Sequence, residues 1–146
     1  MSIFQRFRLL GVVLAVLALP FGAVAPASAQ SSGKRIVVSL SQQRIYAYQG
    51  NQLVLSAPVN ARGTRRGNFR VQNKIPMAQS IYRGWRLAHW MGIYYVGRVQ
   101  NGIHGPEYLR GGGVAYVSLG CVVIRSADLA ARLYRWAYVG TPVRIQ

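Results

Sequence analysis

Acidic residues are almost absent from this 146-residue sequence: Glu107 and Asp128 stand against 18 lysines and arginines, which gives a net charge of +16. Two carboxylates so far apart give weak support for the paired-carboxylate site of a glycoside hydrolase, and Asp128 already suits a helix start. The basic residues are scattered from Lys34 to Arg144. A scattered excess is typical of general attraction to anionic material, not of one dedicated binding site.

Long hydrophobic runs are also missing, apart from one near the amino terminus. Arg6 and Arg8 precede an apolar run over 9–19, and the small residues 27–29 follow it. The run is short for a membrane span and fits a secretory signal peptide, with a retained membrane anchor as the alternative. We therefore predict a signal peptide over 1–29, export to a periplasm or an extracellular cell wall, and membrane contact only through this segment before cleavage.

Export limits the partners of the basic surface. Removal of the signal peptide leaves 16 basic residues against two acidic ones, a net charge of +14. A basic excess of this size invites a nucleic-acid interpretation. An exported protein, however, meets anionic envelope polymers and lipid head groups instead. We expect attraction to anionic envelope polymers and no nucleic-acid partner.

Cysteine occurs once, as Cys121. An exported chain with a single cysteine cannot close an internal disulfide, so the thiol is buried, paired between chains or reactive. The cysteine count alone favours a buried structural thiol. The residues around Cys121, however, favour a reactive thiol.

Short apolar stretches separated by turn residues follow the signal peptide. They predict a short polar lead over 30–34 and one mainly β domain over 35–146. Strands are expected over residues 36–40, 44–48, 53–59, 68–71, 114–117, 122–124 and 141–145, and strand-forming residues recur over 85–96. Glycine and proline predict a long loop over 105–113.

One helix is predicted, near the carboxyl end of the domain. Ser126 is a suitable N-cap, and the apolar residues Leu129, Leu133 and Trp136 have helical spacing. Gly140 is expected to end this helix. The predicted fold class is therefore mainly β with one helix in the C-terminal region.

Cys121 and His104 form the candidate catalytic pair. Gly120 allows a tight turn in which consecutive N–H groups face one space and stabilise a negative oxygen. His104 lies 17 residues upstream across a glycine-rich loop, and both residues lie at ends of predicted strands. A free thiol with a pKa of ~8.5 is mostly protonated at neutral pH, and a cationic imidazole lowers that pKa. The thiolate then attacks an acyl carbonyl, but a glycine–cysteine pair with a histidine is a weak signal by itself.

A metal site is the alternative use of the same side chains. His89, His104 and Cys121 lack the closely spaced ligand pairs that zinc sites usually have. We therefore expect no metal and no cofactor. His89 is expected to be a packed or surface histidine.

Several segments match one family's motifs in the right order over 34–146. They are Ile36-Val37-Val38-Ser39-Leu40 with Gln43 and Tyr48; Pro58-Val59 with Gly63-Thr64 and Gly67-Asn68-Phe69; Ile103-His104-Gly105; Ser118-Leu119-Gly120-Cys121-Val122; and Val139-Gly140-Thr141-Pro142-Val143. The chain thereby resembles the L,D-transpeptidase catalytic domain family, also called YkuD domains. The resemblance implies that family's mixed β-sandwich-like fold and a peptidoglycan cross-linking activity.

The same resemblance implies roles for individual residues. Cys121 would be the nucleophile and His104 the general base and acid, oriented through the backbone of Gly105. The backbone N–H groups of Leu119, Gly120 and Cys121 would form the oxyanion hole. The enzyme would cleave the terminal D-alanine from a peptidoglycan stem tetrapeptide and join the acyl group to a neighbouring stem as a 3→3 cross-link.

Further positions are candidates for substrate contact or depart from the family pattern. Ser118 of the cysteine motif, Arg65 and Arg66 are candidate contacts to the substrate. For the two arginines, a solvated loop without a substrate contact is the alternative. Leu119 stands where the family usually has histidine, and Val123 where it usually has arginine. Two alternatives stay open. An L,D-carboxypeptidase is one, because the acceptor of the acyl group depends on the shape of the pocket. A non-catalytic cationic module that binds the cell wall is the other, and Leu119, Val123 and the net charge of +14 support it.

Overall fold

The computed structural model describes residues 33–146, so the predicted signal peptide and the first residues of the lead lie outside the described part. Eleven strands and one helix make up this part. In chain order they are β1 Lys34–Ser39, β2 Arg44–Gln49, β3 Gln52–Asn60, β4 Gly67–Arg70, β5 Asn73–Gln79, β6 Arg86–Val96, β7 Val99–His104, β8 Glu107–Tyr108, β9 Val114–Ala115, β10 Val122–Ile124, α1 Ala127–Trp136 and β11 Pro142–Ile145. The predicted fold class, mainly β with one helix, is confirmed.

The strands form one continuous sheet in the order β4-β11-β1-β2-β3-β10-β7-β6-β8-β9, and β5 adds to β6 as a branch. The long strand β3 joins the two halves, because its first part pairs with β2 and its last residues, Val59 and Asn60, pair with β10. Two of the pairings are parallel, β1 with β11 and β10 with β7. The second parallel pair positions the candidate site.

Alternation of apolar and polar residues explains how the first half of the sheet covers the core. Ile36 and Val38 of β1 are buried, as are Ile45 and Ala47 of β2, while the residues between them face outward. Successive strand side chains point to opposite faces, so one face of these strands is apolar. The inward side chains join one hydrophobic core with those of β10, β11 and α1.

The helix begins where the sequence predicts and ends earlier. The Ser126 hydroxyl accepts the N–H of Leu129 at 3.3 Å, as an N-cap does. The helix stops at Trp136, not at Gly140, because the backbone is already extended at Ala137 (φ −74°, ψ 152°). Lys34 Nζ donates to the freed carbonyl of Trp136 at 2.7 Å. Gly140 instead lies in the turn before β11, at φ +100°. Within residues 33–146 no helix has the length and apolar character that a membrane crossing needs.

The other differences from the predicted strands lie around the site. Strand β7 is absent from the prediction because Gln100, Asn101 and Gly102 interrupt its apolar pattern, although it is a central strand. The predicted loop over 105–113 contains β8, and the predicted strand over 114–117 is only the two-residue β9. Strand β5 is also absent from the prediction, because it contains Pro76. The strand pairs only with β6, so its other edge needs no backbone N–H and tolerates a proline.

Candidate active site

Strands β7 and β10 place the candidate pair on one face of the sheet. His104 is the last residue of β7, and Cys121 immediately precedes β10. The parallel register pairs Val122 with Ile103 and Val123 with His104. Val122 and Ile103 both face the hydrophobic core, so Cys121 and His104 point to the opposite face by the alternation of strand side chains.

Both side chains open on one cavity of about 590 Å³, which the loop before β10 and strands β5 to β7 surround. Trp90, Asn101, Glu107 and Leu119 also line it. The cavity is large enough for a peptide segment, and a thiol, an imidazole and a carboxyl group line it.

The environment of His104 fixes which ring nitrogen can act as a base. Its Nδ1 lies 2.8 Å from the carbonyl oxygen of Gly105, and its ring stacks on Trp90 with 5.8 Å between centroids. A carbonyl only accepts hydrogen bonds, so Nδ1 carries the proton and Nε2 keeps its lone pair. Burial lowers the pKa of His104 to about 4, and the hydrogen bond to Gly105 opposes this only partly. The imidazole is therefore neutral at physiological pH.

The Cys121 thiol is also neutral at rest. Burial raises its pKa to about 11; a backbone hydrogen bond from Gly102 lowers the pKa, and the charge of Glu107 raises it further. Its Sγ donates a weak hydrogen bond to Asn101 Oδ1 at 3.7 Å. Sequence reasoning anticipated a thiol pKa lowered by a cationic imidazole. That expectation was wrong, because the buried imidazole of His104 holds no charge.

The turn before the cysteine needs glycine for two reasons. Gly120 has φ +108°, which L side chains rarely adopt, and a Cβ atom there would lie 2.7 Å from Asn101 Oδ1. The Gly120 carbonyl accepts the Tyr94 hydroxyl at 2.7 Å. In a trans peptide the N–H points opposite to the carbonyl, so the N–H of Cys121 points away from Tyr94.

Two hydroxyl groups hold the other side of the same turn. The carbonyl of Cys121 accepts the Thr64 hydroxyl at 2.8 Å and lies 2.6 Å from the Ser118 Oγ, which is also 2.7 Å from the carbonyl of Arg62. The backbone N–H of Arg65 donates to the Tyr94 hydroxyl at 3.1 Å, so this hydrogen bond also holds the loop that carries Arg65. These contacts fix the cysteine turn against the glycine-rich loop.

The remaining candidate positions fall into two groups. Leu119 is 59% exposed and lines the cavity, whereas Val123 is fully buried in β10. Ser118, Arg65 and Arg66 do not line the cavity, and their role as substrate contacts stays a prediction. In the part of the chain that the structure describes, no three His, Cys, Asp or Glu side chains are grouped to hold a metal ion.

Sequence reasoning missed Asn101, Trp90 and Thr64 and could not select Tyr94 among several tyrosines. Asn101 and Trp90 lie in strands where a polar or aromatic residue has many ordinary uses. Glu107 was visible only as one of two acids in a basic chain. The rarity of acidic residues in this chain is the signal that could have identified Glu107 as a site residue.

The low pKa of His104 predicts acid-sensitive stability. An unfolded histidine has a pKa near 6.5 and binds a proton more readily than the buried one, so stability is full above pH 6.5 and is lost as pH falls toward 4. The loss from this residue reaches about 3 kcal/mol. Urea unfolding between pH 7 and 4 should show a smaller loss in His104→Gln than in wild type. The control His89→Gln should still show the loss of stability that comes from His104. If the free energy of unfolding falls equally with pH in wild type and in His104→Gln, this account is contradicted.

Comparison with solved structures gives the same fold. No curated protein matches this chain. Solved structures similar to the chain include an L,D-transpeptidase from Mycobacterium smegmatis (22% identity, 77% of this chain and 58% of that one, TM-score 0.62), L,D-transpeptidase 1 of Mycobacterium tuberculosis (20%, 77% and 61%, 0.62) and an L,D-transpeptidase from Stackebrandtia nassauensis (21%, 78% and 55%, 0.64). The chain thus spans less than two thirds of the length of each.

One family matches nearly all of the described part of the chain. The sequence model of the YkuD family, described as the L,D-transpeptidase catalytic domain, matches residues 33–145. This range includes both Cys121 and His104 and all eleven strands. The chain belongs to the L,D-transpeptidase catalytic domain family.

Proposed function

We propose that this protein is a peptidoglycan L,D-transpeptidase of the cell envelope, with Cys121 as its nucleophile. The observation that carries the proposal is the parallel pairing of β7 and β10, which puts the thiol and the imidazole on one wall of a peptide-sized cavity. Membership of the family supports the peptidoglycan stem as substrate and the periplasm or extracellular wall as location. No metal or cofactor has a part in the proposed chemistry.

In the proposed acylation, Cys121 Sγ attacks the carbonyl carbon of the bond before the terminal D-alanine. The thiol pKa of about 11 lies far above the imidazole pKa of about 4, so proton transfer to His104 Nε2 accompanies the attack instead of preceding it. The imidazolium then gives this proton to the departing amine. D-Alanine leaves, and the remaining acyl group is a thioester on Cys121.

The proposed oxyanion hole consists of the backbone N–H groups of Leu119, Gly120 and Cys121. Its support is the hydrogen bond from the Tyr94 hydroxyl to the Gly120 carbonyl, because this bond turns the N–H of Cys121 away from Tyr94. Donors that are fixed before the reaction stabilise developing charge without having to reorganise.

The thioester has two possible fates. An amine of a neighbouring stem forms the 3→3 cross-link, whereas water gives an L,D-carboxypeptidase. The cavity wall bears Leu119 where the family usually has histidine, and we propose that this changes the substrate contact and not the chemistry, since the backbone donors do not depend on that side chain. Analysis of dimers against trimmed monomers separates the two activities.

Cys121→Ser should abolish acyl-enzyme formation, because a serine hydroxyl is a far weaker nucleophile beside a neutral imidazole. Intact-mass spectrometry after incubation with disaccharide-tetrapeptide muropeptides checks this. Wild type should gain one acyl group and release D-alanine; Cys121→Ser should gain none while keeping its melting temperature within a few degrees. Equal turnover by the two proteins would refute the proposal. A folded wild type without adduct would favour the non-catalytic wall-binding module.

We further propose that the basic surface holds the protein on anionic envelope polymers. Arg35, Arg70 and Arg144 line a groove of about 360 Å³ across β1, β11 and β4, remote in the sheet order from the candidate pair. The two acids of residues 33–146, Glu107 and Asp128, lie on β8 and α1, so no carboxylate neutralises this groove. Phosphate or carboxylate groups of a polymer are its complementary ligands.

The double substitution Arg70→Gln with Arg144→Gln should weaken retention on purified cell-wall sacculi by several-fold at low salt and reduce its salt dependence. The matched control, Arg110→Gln with Arg132→Gln, removes the same charge from other exposed positions and should have a smaller effect. Equal losses in both double variants would mean that total charge, not this groove, determines retention.

A further inference from the structure

We infer that Glu107 forms an ammonium-binding subsite in the cavity that it shares with Cys121, where the acceptor amine is held and gives up a proton before it attacks the thioester. This inference rests on the proposed function. It identifies the group that would direct the thioester toward an amine and away from water.

Glu107 is conspicuous by charge and by place. It is one of two acids in the sequence, and the other, Asp128, lies at the start of α1. Glu107 lies in β8, three residues after His104, is 7% exposed and lines the cavity that His104 and Cys121 share. A carboxylate buried beside a reactive thiol is costly to maintain without a compensating partner.

The contacts of Glu107 leave it suited to a cationic ligand. The N–H of Val117 donates to Oε2 at 3.4 Å, a long hydrogen bond. Burial raises the pKa of Glu107, and the Val117 hydrogen bond and the charge of Arg83 counteract this. The raised pKa makes the carboxylate a better proton acceptor than an ordinary glutamate. A bound ammonium group compensates the buried charge and is then close to a base.

The charge also acts on the nucleophile. Glu107 contributes to the raised pKa of Cys121, which places the two groups within electrostatic reach of each other. A carboxylate beside the thiol does not help a thiolate to form, so its position is unfavourable for the acylation step. The resolving step gives it a use, because a peptidoglycan acceptor amine is protonated at neutral pH and cannot attack until it loses a proton.

Resolution of the thioester by the amine involves two proton transfers from the acceptor nitrogen. The acceptor ammonium transfers one proton to the Glu107 carboxylate, and the free amine attacks the thioester carbon. A second N–H proton passes to His104 Nε2 as the C–N bond forms. The C–S bond breaks, and the departing Cys121 sulfur takes this proton from His104. Glu107 finally releases its proton to water, so an ammonium and a thioester give an amide, a thiol and one proton.

Two nucleophiles of different charge test this subsite on the preformed acyl-enzyme. Nα-acetyl-lysine presents an ammonium at neutral pH, whereas hydroxylamine is uncharged there. The informative quantity is the rate of thioester cleavage by Nα-acetyl-lysine divided by the rate with hydroxylamine. In Glu107→Gln this ratio should be roughly tenfold lower than in wild type, because one charge contact to the ammonium is lost. Glu107→Asp, which keeps the charge, should retain part of the preference.

The outcomes separate this inference from the proposed function. Absence of any acyl-enzyme in wild type overturns both. An acyl-enzyme whose relative rates are the same in wild type and Glu107→Gln overturns the subsite alone, since a purely structural role would slow both nucleophiles alike. If Glu107→Gln does not fold, carboxyl NMR of wild type decides: added Nα-acetyl-lysine should lower the pKa of Glu107, and an unchanged pKa overturns the subsite.

Discussion

Burial of an uncharged histidine at the end of a central strand is the constraint on which the site depends. His104 is 1% exposed, stacks on Trp90 and hydrogen-bonds to Gly105. These contacts leave Nε2 as the basic nitrogen. The parallel neighbour β10 then brings Cys121 to the same face. A strand slip of one residue would move one member of the pair to the core face, so the sheet register itself specifies the site.

The same burial determines how the pair can react. With a thiol pKa of about 11 and an imidazole pKa of about 4, the resting site carries no thiolate–imidazolium ion pair. In the proposed mechanism the thiol and the imidazole become charged only as the carbonyl is attacked. A neutral thiol is a weak nucleophile, so this arrangement lowers the reactivity of Cys121 toward electrophiles in general. Glu107 adds a negative charge to the same cavity, and the inferred ammonium subsite gives that charge a role in the proposed resolving step.

Much of the fold could be predicted from the sequence because its first three strands alternate and its helix has a serine cap. The order of the motifs was equally informative, since they place Cys121 and His104 at strand ends. The polar segment 100–102 hid a central strand, because those residues serve the cavity and not the core. Asn101, Tyr94 and Thr64 act through contacts between residues distant in the chain, and local pattern carries no information on such contacts. The protonation states likewise depend on burial, which only the structure provides.

The neutral resting pair is tested most directly by the pH dependence of Cys121 alkylation. The chain has one cysteine, so intact-mass spectrometry with iodoacetamide follows a single adduct. If the thiol pKa is about 11, the alkylation rate should rise about tenfold per pH unit from pH 6 to 9 without a plateau. A rate that is already constant above pH 7 would show a thiolate at neutral pH and contradict the account.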